Sequence, residues 1–481
     1  MTTPPSDQTP GRIAMLIRRV TRGREGVPTS LAGLRGSETA KAAGLAGAMI
    51  VNNVIALGST VVFARLLKDN QGGGYGSLAA LVSYFLILSV VGQALQVATA
   101  REGVLGHLGT GAGLAATVRQ WSRSMAVFTV AISIVSVLLR HPIADAVGVK
   151  HNAWAAALGL PAAALWLELS ILRGVLQGLG DYQAVGFSLI GEQGARLVMG
   201  AILAAVGLGV TGAYLGTPLS FIAMCLYCAW RLQRHVQVAA GAQGAAGGAG
   251  GKAPAAALSL VAHVKRAWAP IAGLIVIAVL QNIDIIAAKH RFSTSMASSY
   301  GATAVAAKVL IWVAMGAGFY LVPEVSRRRA SGEDPRPILA RALGIIAVCC
   351  VPVLLIFAFA SHSLIVAAFG AGKSHASGSL LVLGLAFTVL ACTYLAIQYL
   401  LALRRTWFLV ALALVAIAEP ILLLNASRKP TGFAAVVLAV QAVGALVAFS
   451  FALQRGPVPP APPGEPGPGT ADVEPIPEVV G

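Results

Sequence analysis

The chain alternates between long apolar stretches and short polar ones. A helix of about 20 apolar residues is long enough to cross a bilayer core of ~30 Å, and lipid offers no partner to unpaired backbone groups, so each apolar stretch is expected to be a helix. Twelve such stretches are predicted, near 42–64, 76–98, 120–139, 153–173, 184–206, 210–230, 268–289, 298–322, 340–360, 377–401, 406–425 and 431–453. The pattern predicts an all-α polytopic membrane protein with about 12 transmembrane helices.

The composition agrees with this pattern. The chain is 57% hydrophobic and 11% charged, whereas a soluble domain carries about 25% charged residues. The net charge of +17 would suggest nucleic-acid binding in a soluble protein. Here the positive residues lie mainly in the connections, which is typical of membrane topology. We therefore expect no nucleic-acid partner.

The distribution of Lys and Arg also predicts the orientation. These residues are concentrated in the N-terminal tail, in the connection after the sixth span, and in "SRRRA" (326–330) and "LRR" (403–405). In this count the Lys and Arg residues near span ends, Arg173 among them, are assigned to the connections, and Arg196 and Lys308 are the two placed within spans. Because cytoplasmic connections are enriched in Lys and Arg, both termini are expected to be cytoplasmic. The Ala- and Gly-rich composition is typical of a GC-rich bacterium, so the cytoplasmic membrane of a bacterium is the expected location.

The connection between the sixth and seventh spans divides the chain. It contains "AAGAQGAAGGAGGKAPAAA", which has the composition of a flexible linker, and the Pro-rich end of the chain cannot form a core. The predicted organisation is a disordered basic tail (1–40), a six-helix bundle (41–231), a linker (232–262), a second six-helix bundle (263–455) and a disordered tail (456–481).

The two predicted bundles contain similar segments. "YGSLAALVSYFLI" begins at Tyr75 and "YGATAVAAKVLIW" begins at Tyr300. Arg65 and Lys289 end the spans that precede these segments. The separation of Arg65 and Lys289 along the chain is almost the same as that of Tyr75 and Tyr300. An even number of spans in each half gives a parallel repeat about an axis along the membrane normal. The halves are therefore expected to be pseudo-symmetric.

Two stretches resemble a known family. "FARLLKDNQGGGYGSLAAL" (63–81) resembles the first hairpin of the polysaccharide-flippase branch of the multidrug/oligosaccharidyl-lipid/polysaccharide exporter superfamily, and 172–216 resembles its fourth-to-sixth-helix region. The resemblance covers roughly 40–455. The loop after Arg65 lacks the Gly-Pro-acidic-acidic pattern usual in the family, so no role is assigned to it.

The resemblance implies both an architecture and a function. Two six-helix bundles would surround a V-shaped central cavity and would flip a lipid-linked saccharide, often on polyprenyl pyrophosphate, by alternating access. The implied partners are this lipid-linked substrate, membrane lipids and other polysaccharide-assembly proteins. No bound cofactor or metal is expected, and a proton or Na⁺ is the candidate coupling ion.

Charged residues within the spans are candidate site residues, because charge in a bilayer is costly. Glu192 and Arg196 lie four residues apart and are expected to pair on one helix face, either as a structural ion pair or at the cavity. Lys308 has no acidic neighbour on its own helix and needs a partner on another helix or an anionic ligand. Arg196 and Lys308 are the candidate binding residues for a pyrophosphate. Arg101, at the end of the second span, is a candidate headgroup contact or a plain anchor.

A polar patch in the seventh span contains Gln281, Asn282 and Asp284. Asn52 and Asn53 occupy a similar level of the first span, so the two patches are predicted to face each other and bind substrate at the mouth between the bundles. Asp284 is a candidate for proton or cation coupling, and a salt bridge with Lys308 is the alternative.

Other acidic residues leave a choice of function open. Glu192 and Glu168 are further candidates for ion coupling, whereas Glu168 and Glu419 also fit helix packing. A flippase predicts a cationic cavity, and a cation-coupled drug or metabolite antiporter of the same fold predicts an acidic one. The short outer connections leave little room for catalytic groups, so we do not expect an enzyme.

Overall fold

A computed structural model describes residues 38–67, 74–104, 108–109, 111–245, 268–331, 333–403 and 405–454. Most of the predicted N-terminal tail (1–40), the predicted C-terminal tail (456–481), part of the predicted linker and 68–73 of the glycine-rich connection lie outside these residues.

The N-terminal half is built from long helices with two short ones inserted. The long helices are α1 (Glu38–Leu66), α2 (Gly74–Val104), α3 (Ala112–Leu138), α6 (Gly159–Gly178), α7 (Tyr182–Leu203) and α8 (Gly209–Ala245). The short helices α4 (Arg140–Val147) and α5 (Ala153–Ala157) lie between α3 and α6. The helix α8 continues to Ala245, beyond the point near 231 where the linker was expected to begin.

The described residues of the C-terminal half form six further α-helices, with two short 3-10 helices, Ala371–Lys373 and Ser377–Ser379, between the third and the fourth. The α-helices are α9 (Trp268–Arg291), α10 (Thr294–Ala330), α11 (Arg336–Phe369), α12 (Leu380–Ala402), α13 (Phe408–Leu424) and α14 (Pro430–Leu453). All regular elements of the described residues are helices.

The helices have the length and composition of membrane spans. Ten stretches of the described residues are long and apolar enough to cross a membrane, and α13 is a shorter apolar helix. One stretch, Tyr182–Gln237, contains both α7 and α8. The prediction of an all-α polytopic membrane fold is confirmed.

The chain reverses between α7 and α8 at a glycine. Gly207 has φ 105°, a backbone conformation that side chains with a Cβ rarely adopt. The two helices then pack closely, since a Cβ on Gly216 would lie 2.8 Å from the carbonyl oxygen of Arg196. This close approach of small residues fixes the backbone that carries Arg196.

The alternation of helices gives the molecule two ends. We call the end where α1 is followed by α2 the hairpin end, and the end where α1 begins and α14 finishes the termini end. At the termini end, Arg405 donates to the carbonyl oxygen of Gln454 at 3.1 Å and Arg336 donates to that of Leu453 at 3.3 Å.

The two halves contact each other at the hairpin end. The N–H of Gly76 donates to Oγ of Ser298 at 3.0 Å, and Arg65 donates to the carbonyl oxygen of Ala367 at 2.6 Å. The packing of α2 against α9 and α10 continues this contact.

The exposure of α1 residues changes along the helix. Ala64, near the hairpin end, is 3% exposed, whereas Ile50 and Val54, nearer the termini end, are each 65% exposed. The α1 helix is therefore covered near the hairpin end and exposes apolar side chains toward the termini end.

Candidate functional site

A charged cluster lies within the N-terminal half, between α6 and α7. Arg173 is fully buried, and its Nη2 donates to Oε2 of Glu192 at 3.0 Å and to the carbonyl oxygen of Ser188 at 2.8 Å. Arg196 donates to the other carboxylate oxygen of Glu192 at 2.8 Å. The ion pair between Glu192 and Arg196 that the spacing predicts is present.

This cluster carries more positive than negative charge. Two guanidinium groups share the single carboxylate of Glu192, so one positive charge is not balanced within the cluster. The Arg196 side chain is 16% exposed, and its Nε has no hydrogen-bond partner. Its guanidinium lies 5.3 Å from the ring centroid of Phe221 and 5.8 Å from that of Phe85, within cation–π range. Such a group can bind an anion.

The assignment of Arg173 to a connection is wrong, because α6 continues through it to Gly178. Gly174 lies against α2, where an added Cβ would be 2.6 Å from the carbonyl oxygen of Gln96. The small residues Gly174 and Gly178, four positions apart, are the sequence signal that this helix continues in close packing beyond Arg173.

A second charged cluster lies within the C-terminal half. Nζ of Lys308 on α10 lies 3.2 Å from Oδ1 of Asp284 on α9. The hydroxyl of Tyr300 donates to the other Asp284 oxygen at 3.3 Å. Asp284 is fully buried and Lys308 is 8% exposed. The salt bridge considered as the alternative role for Asp284 is therefore present.

Glu419 adds a second carboxylate to this cluster. It is fully buried, accepts from Nε2 of Gln441 at 3.3 Å and lies within electrostatic reach of Asp284 and Lys308. Its Oε2 has no hydrogen-bond partner. One ammonium thus faces two carboxylates, which is the opposite balance to the N-terminal cluster. No partner was predicted for Glu419, because Gln441 lies on a different helix, α14.

The predicted polar patches of the first and seventh spans do not join by hydrogen bonds. Asn52 donates to Asn53 at 3.4 Å, whereas Asn282 donates to the carbonyl oxygen of Ala278 on its own helix at 2.9 Å. Asn282 is 3% exposed, so its side chain does not line an open mouth. Gln281, Asn52 and Asn53 are half-buried and remain predicted contacts.

Glu168 lies on α6, five residues before Arg173, and Arg101 lies near the end of α2. Oε1 of Glu168 accepts from Oγ of Ser122 on α3 at 2.5 Å, and its other oxygen has no partner. Arg101 lies in the last turn of α2 and is exposed. Coupling at Glu168 and headgroup binding at Arg101 stay predictions.

A third group of charges holds the turn between α6 and α7. Asp181 caps α7 by accepting from the N–H of Ala184 at 3.1 Å, and it lies 2.7 Å from both Arg231 and His235 on α8. Burial raises the pKa of the Asp181 carboxyl, but the hydrogen bonds with His235, Ala184 and Arg231 outweigh it and hold that pKa below its ordinary value. This group joins the C-terminal part of α8 to the α6–α7 turn.

The structure thus places one charged cluster in each half. Arg196 and Lys308, the two predicted pyrophosphate ligands, lie on different halves, and each has a carboxylate partner within its own half. Any ligand that contacted both would have to bridge the two bundles.

The chain is similar in structure to solved membrane transporters. The first is described as an inward-facing conformation of a multidrug resistance MATE family transporter of the MOP superfamily, with a TM-score of 0.64, 13% identity, and coverage of 83% of this chain and 93% of that one. The second is the lipid II flippase MurJ in an inward closed conformation, with a TM-score of 0.65, 14% identity, and coverage of 85% and 87%. An outward-facing MATE transporter matches with a TM-score of 0.52 and 14% identity, covering 87% and 96%.

Comparison by sequence finds no such similarity. No family model matches the chain, and no curated protein matches it. The structural likeness at 13–14% identity concerns the fold. The chain has the all-helical fold found in MATE transporters of the MOP superfamily and in the flippase MurJ.

Proposed function

We propose that the protein is a transporter that flips a lipid-linked oligosaccharide or polysaccharide precursor across the cytoplasmic membrane by alternating access. The observation that carries this proposal is the unbalanced positive charge of the Arg173–Glu192–Arg196 cluster. The similarity to the MurJ fold supports a lipid-linked substrate, and the similarity to MATE folds supports transport in general.

The N-terminal cluster suits an anionic headgroup. A charge–charge attraction is several times stronger in a partly buried site than in water, and guanidinium groups bind phosphate through paired hydrogen bonds. The Arg196 side chain is partly exposed, whereas Arg173 is fully buried and is held by Ser188 and Glu192. Arg196 is therefore the proposed phosphate contact, and Arg173 holds Glu192 in place.

The C-terminal cluster suits a coupling ion. With both carboxylates ionised and Lys308 charged, the cluster formally lacks one positive charge. A proton on Glu419 or a Na⁺ beside it would balance this charge. We propose that uptake and release of one such ion at Asp284 and Glu419 drives the conformational change.

The conformation also supports alternating access. The halves meet at the hairpin end through Gly76, Ser298 and Arg65, and α1 is exposed toward the termini end. With cytoplasmic termini, the contacts at the hairpin end close the outward-facing side. In agreement with this, the inward-facing MATE transporter has a higher TM-score, 0.64, than the outward-facing one, 0.52.

The test is a flipping assay in proteoliposomes. The probe is a short-chain polyprenyl pyrophosphate that carries one sugar labelled with a dithionite-sensitive fluorophore. We expect Arg196→Gln to slow flipping by at least tenfold, because a charge-assisted hydrogen bond contributes about 1.5–3 kcal/mol. The control is Arg341→Gln, which removes an exposed charge from α11. Equal flipping by the wild type and Arg196→Gln, at equal reconstitution, would contradict the proposal.

A cation-coupled drug or metabolite antiporter is the second candidate, and the excess of carboxylates in the C-terminal cluster favours it. It predicts that a fluorescent cationic drug is exported and that Glu419→Gln abolishes this export while Arg196→Gln leaves it intact. No export of the cationic drug by the wild type, together with slower flipping of the labelled carrier in Arg196→Gln, favours the flippase.

A further inference from the structure

The exposed face of α3 changes from apolar to polar along the helix. Toward the hairpin end its exposed face is apolar, with Val127 71%, Ile134 58% and Leu138 72% exposed. Such a face belongs against hydrocarbon. The same face continues toward the termini end with polar side chains, namely Arg119, Gln120, Arg123 and Ser124.

The length of this face fixes its level in the membrane. Arg119 and Arg140 are separated by about 31 Å of helix at 1.5 Å per residue, which equals the thickness of a hydrocarbon core of ~30 Å. At the hairpin end, the Arg140 guanidinium lies 5.0 Å from the ring centroid of Trp154, which is 61% exposed. Aromatic and basic residues of this kind mark the membrane interface. Arg119 and Arg123 therefore lie at the headgroup level on the termini side.

The two arginines have no carboxylate partner among the described residues. They are one helical turn apart, where like charges repel each other by a few tenths of a kcal/mol. Neither forms a hydrogen bond or ion pair with another described residue. Glu168, on the neighbouring helix α6, bonds to Ser122 of α3. An anion placed between the two guanidinium groups would relieve their repulsion.

The surface between these side chains is a shallow, open groove along α3. A groove of about 370 Å³ is lined by Ala116, Arg119, Gln120, Arg123 and Ser124. Its lining offers two guanidinium groups for a phosphate, and an amide and a hydroxyl for neighbouring headgroup oxygens. It opens on the lipid-facing side of α3 and is separated by α6 from the charged cluster of the N-terminal half.

We infer that this groove binds the phosphodiester headgroup of an anionic phospholipid from the termini-side leaflet. The continuous apolar face above the groove receives the acyl chains of the same lipid. Because the groove belongs to the lipid-facing surface and not to the clusters between the bundles, its occupant is a lipid of the surrounding bilayer. The inference stands whether or not the protein flips a saccharide carrier.

The test measures binding of single lipids to delipidated protein by native mass spectrometry. The probes are phosphatidylglycerol, which is anionic, and phosphatidylcholine of the same acyl chains, which is zwitterionic. In the variant with Arg119→Gln and Arg123→Gln, we expect affinity for the first phosphatidylglycerol to fall roughly thirtyfold, from the contribution of two arginines near a lipid surface. Binding of phosphatidylcholine should not change.

The matched control is a variant with Arg341→Gln and Arg428→Gln, which loses the same charge from two exposed positions elsewhere. It should bind phosphatidylglycerol like the wild type. An equal loss in this control, or no loss in the α3 variant, overturns the inference. Competition is a second readout: displacement of phosphatidylglycerol from the groove by a substoichiometric amount of the labelled polyprenyl pyrophosphate saccharide would assign the groove to that carrier and also overturn the inference.

Discussion

At the scale of single residues, the two clusters show how buried charge is tolerated. An unpaired charge in a membrane interior is costly, and removing one partner from a buried pair costs about 3–5 kcal/mol. Arg173, Glu192, Asp284 and Lys308 each have an oppositely charged partner within 3.2 Å. The charge left over, positive in one half and negative in the other, is what a ligand or ion can balance.

The pair of Asp284 and Lys308 gives a prediction for stability. Lys308→Met leaves two buried carboxylates without a cation, so we expect a loss of about 3–5 kcal/mol in the free energy of unfolding. The double variant with Asp284→Asn should recover roughly 1–3 kcal/mol of the summed single losses. Denaturant unfolding in detergent measures the cycle. Strictly additive losses would show that the two side chains do not stabilise each other.

The sequence predicts some of these residues and not others, for a physical reason. Glu192 and Arg196 lie on one helix, and helical spacing alone brings them together. The pair of Asp284 and Lys308 requires two helices to pack in a particular register, so it remained one of two alternatives. The contact between Glu419 and Gln441 depends on the same kind of packing and was not foreseen.

At the scale of helices, small residues decide where elements meet. Gly76 lies against Ser298, where an added Cβ would be 2.9 Å from the backbone nitrogen. Gly301 lies against Ala79, where an added Cβ would be 3.2 Å from the alanine Cβ. These two glycines follow Tyr75 and Tyr300, the residues that marked the internal repeat. The repeated segment is therefore the crossing of α2 and α10 that closes the hairpin end.

This crossing gives a prediction for Gly76→Val. The added side chain cannot fit beside the backbone of Ser298, so we expect the two halves to move apart at the hairpin end. Spin labels at Lys150 and Arg428, in a variant without native cysteines, report the separation by electron–electron double resonance. The mean distance between the labels should increase by several ångströms, at least the size of a methyl group, and the distance distribution should broaden.

Gly58→Val is the control for this crossing, because nothing lies within 4 Å of a Cβ at Gly58. It should leave the distance unchanged. An unchanged distance in Gly76→Val would show that the crossing does not hold the halves together.

The spans themselves were predictable, because lipid forces every apolar stretch of sufficient length into a helix. The structure departs from the predicted spans at connections and helix ends, where the local sequence determines the conformation. The segment between α3 and α6 folds into α4 and α5, the chain reverses at Gly207, and α8 continues to Ala245. Hydropathy does not report such features, since none of them changes how apolar a span is.

At the scale of the whole molecule, two bundles meet at one end, and the buried clusters within them have opposite excess charge. The proposed transport requires that the contact at the hairpin end opens while the termini end closes. A rigid-body rotation of about 15°, as in other two-state proteins, would move the far end of a 40 Å helix by roughly 10 Å.

This motion gives a prediction for distances across the termini end. Spin labels at Arg234 and Arg341, one on each half and both exposed, should move closer by on the order of 10 Å in part of the population when the labelled saccharide carrier is added to protein in nanodiscs. In Arg196→Gln the carrier should cause no shift. A shift of the same size in that variant would mean that Arg196 does not sense the substrate.

The length of α8 has a mechanical consequence. Its 37 residues make about 55 Å of helix at 1.5 Å per residue, which is well beyond a hydrocarbon core of ~30 Å. Asp181 clamps the projecting part to the α6–α7 turn through Arg231 and His235, so this part turns with the N-terminal bundle. If the bundle tilts about the hairpin end, the part of α8 near Ala245 lies farthest from the axis. A small tilt in the membrane would therefore displace this end of the helix by a large distance.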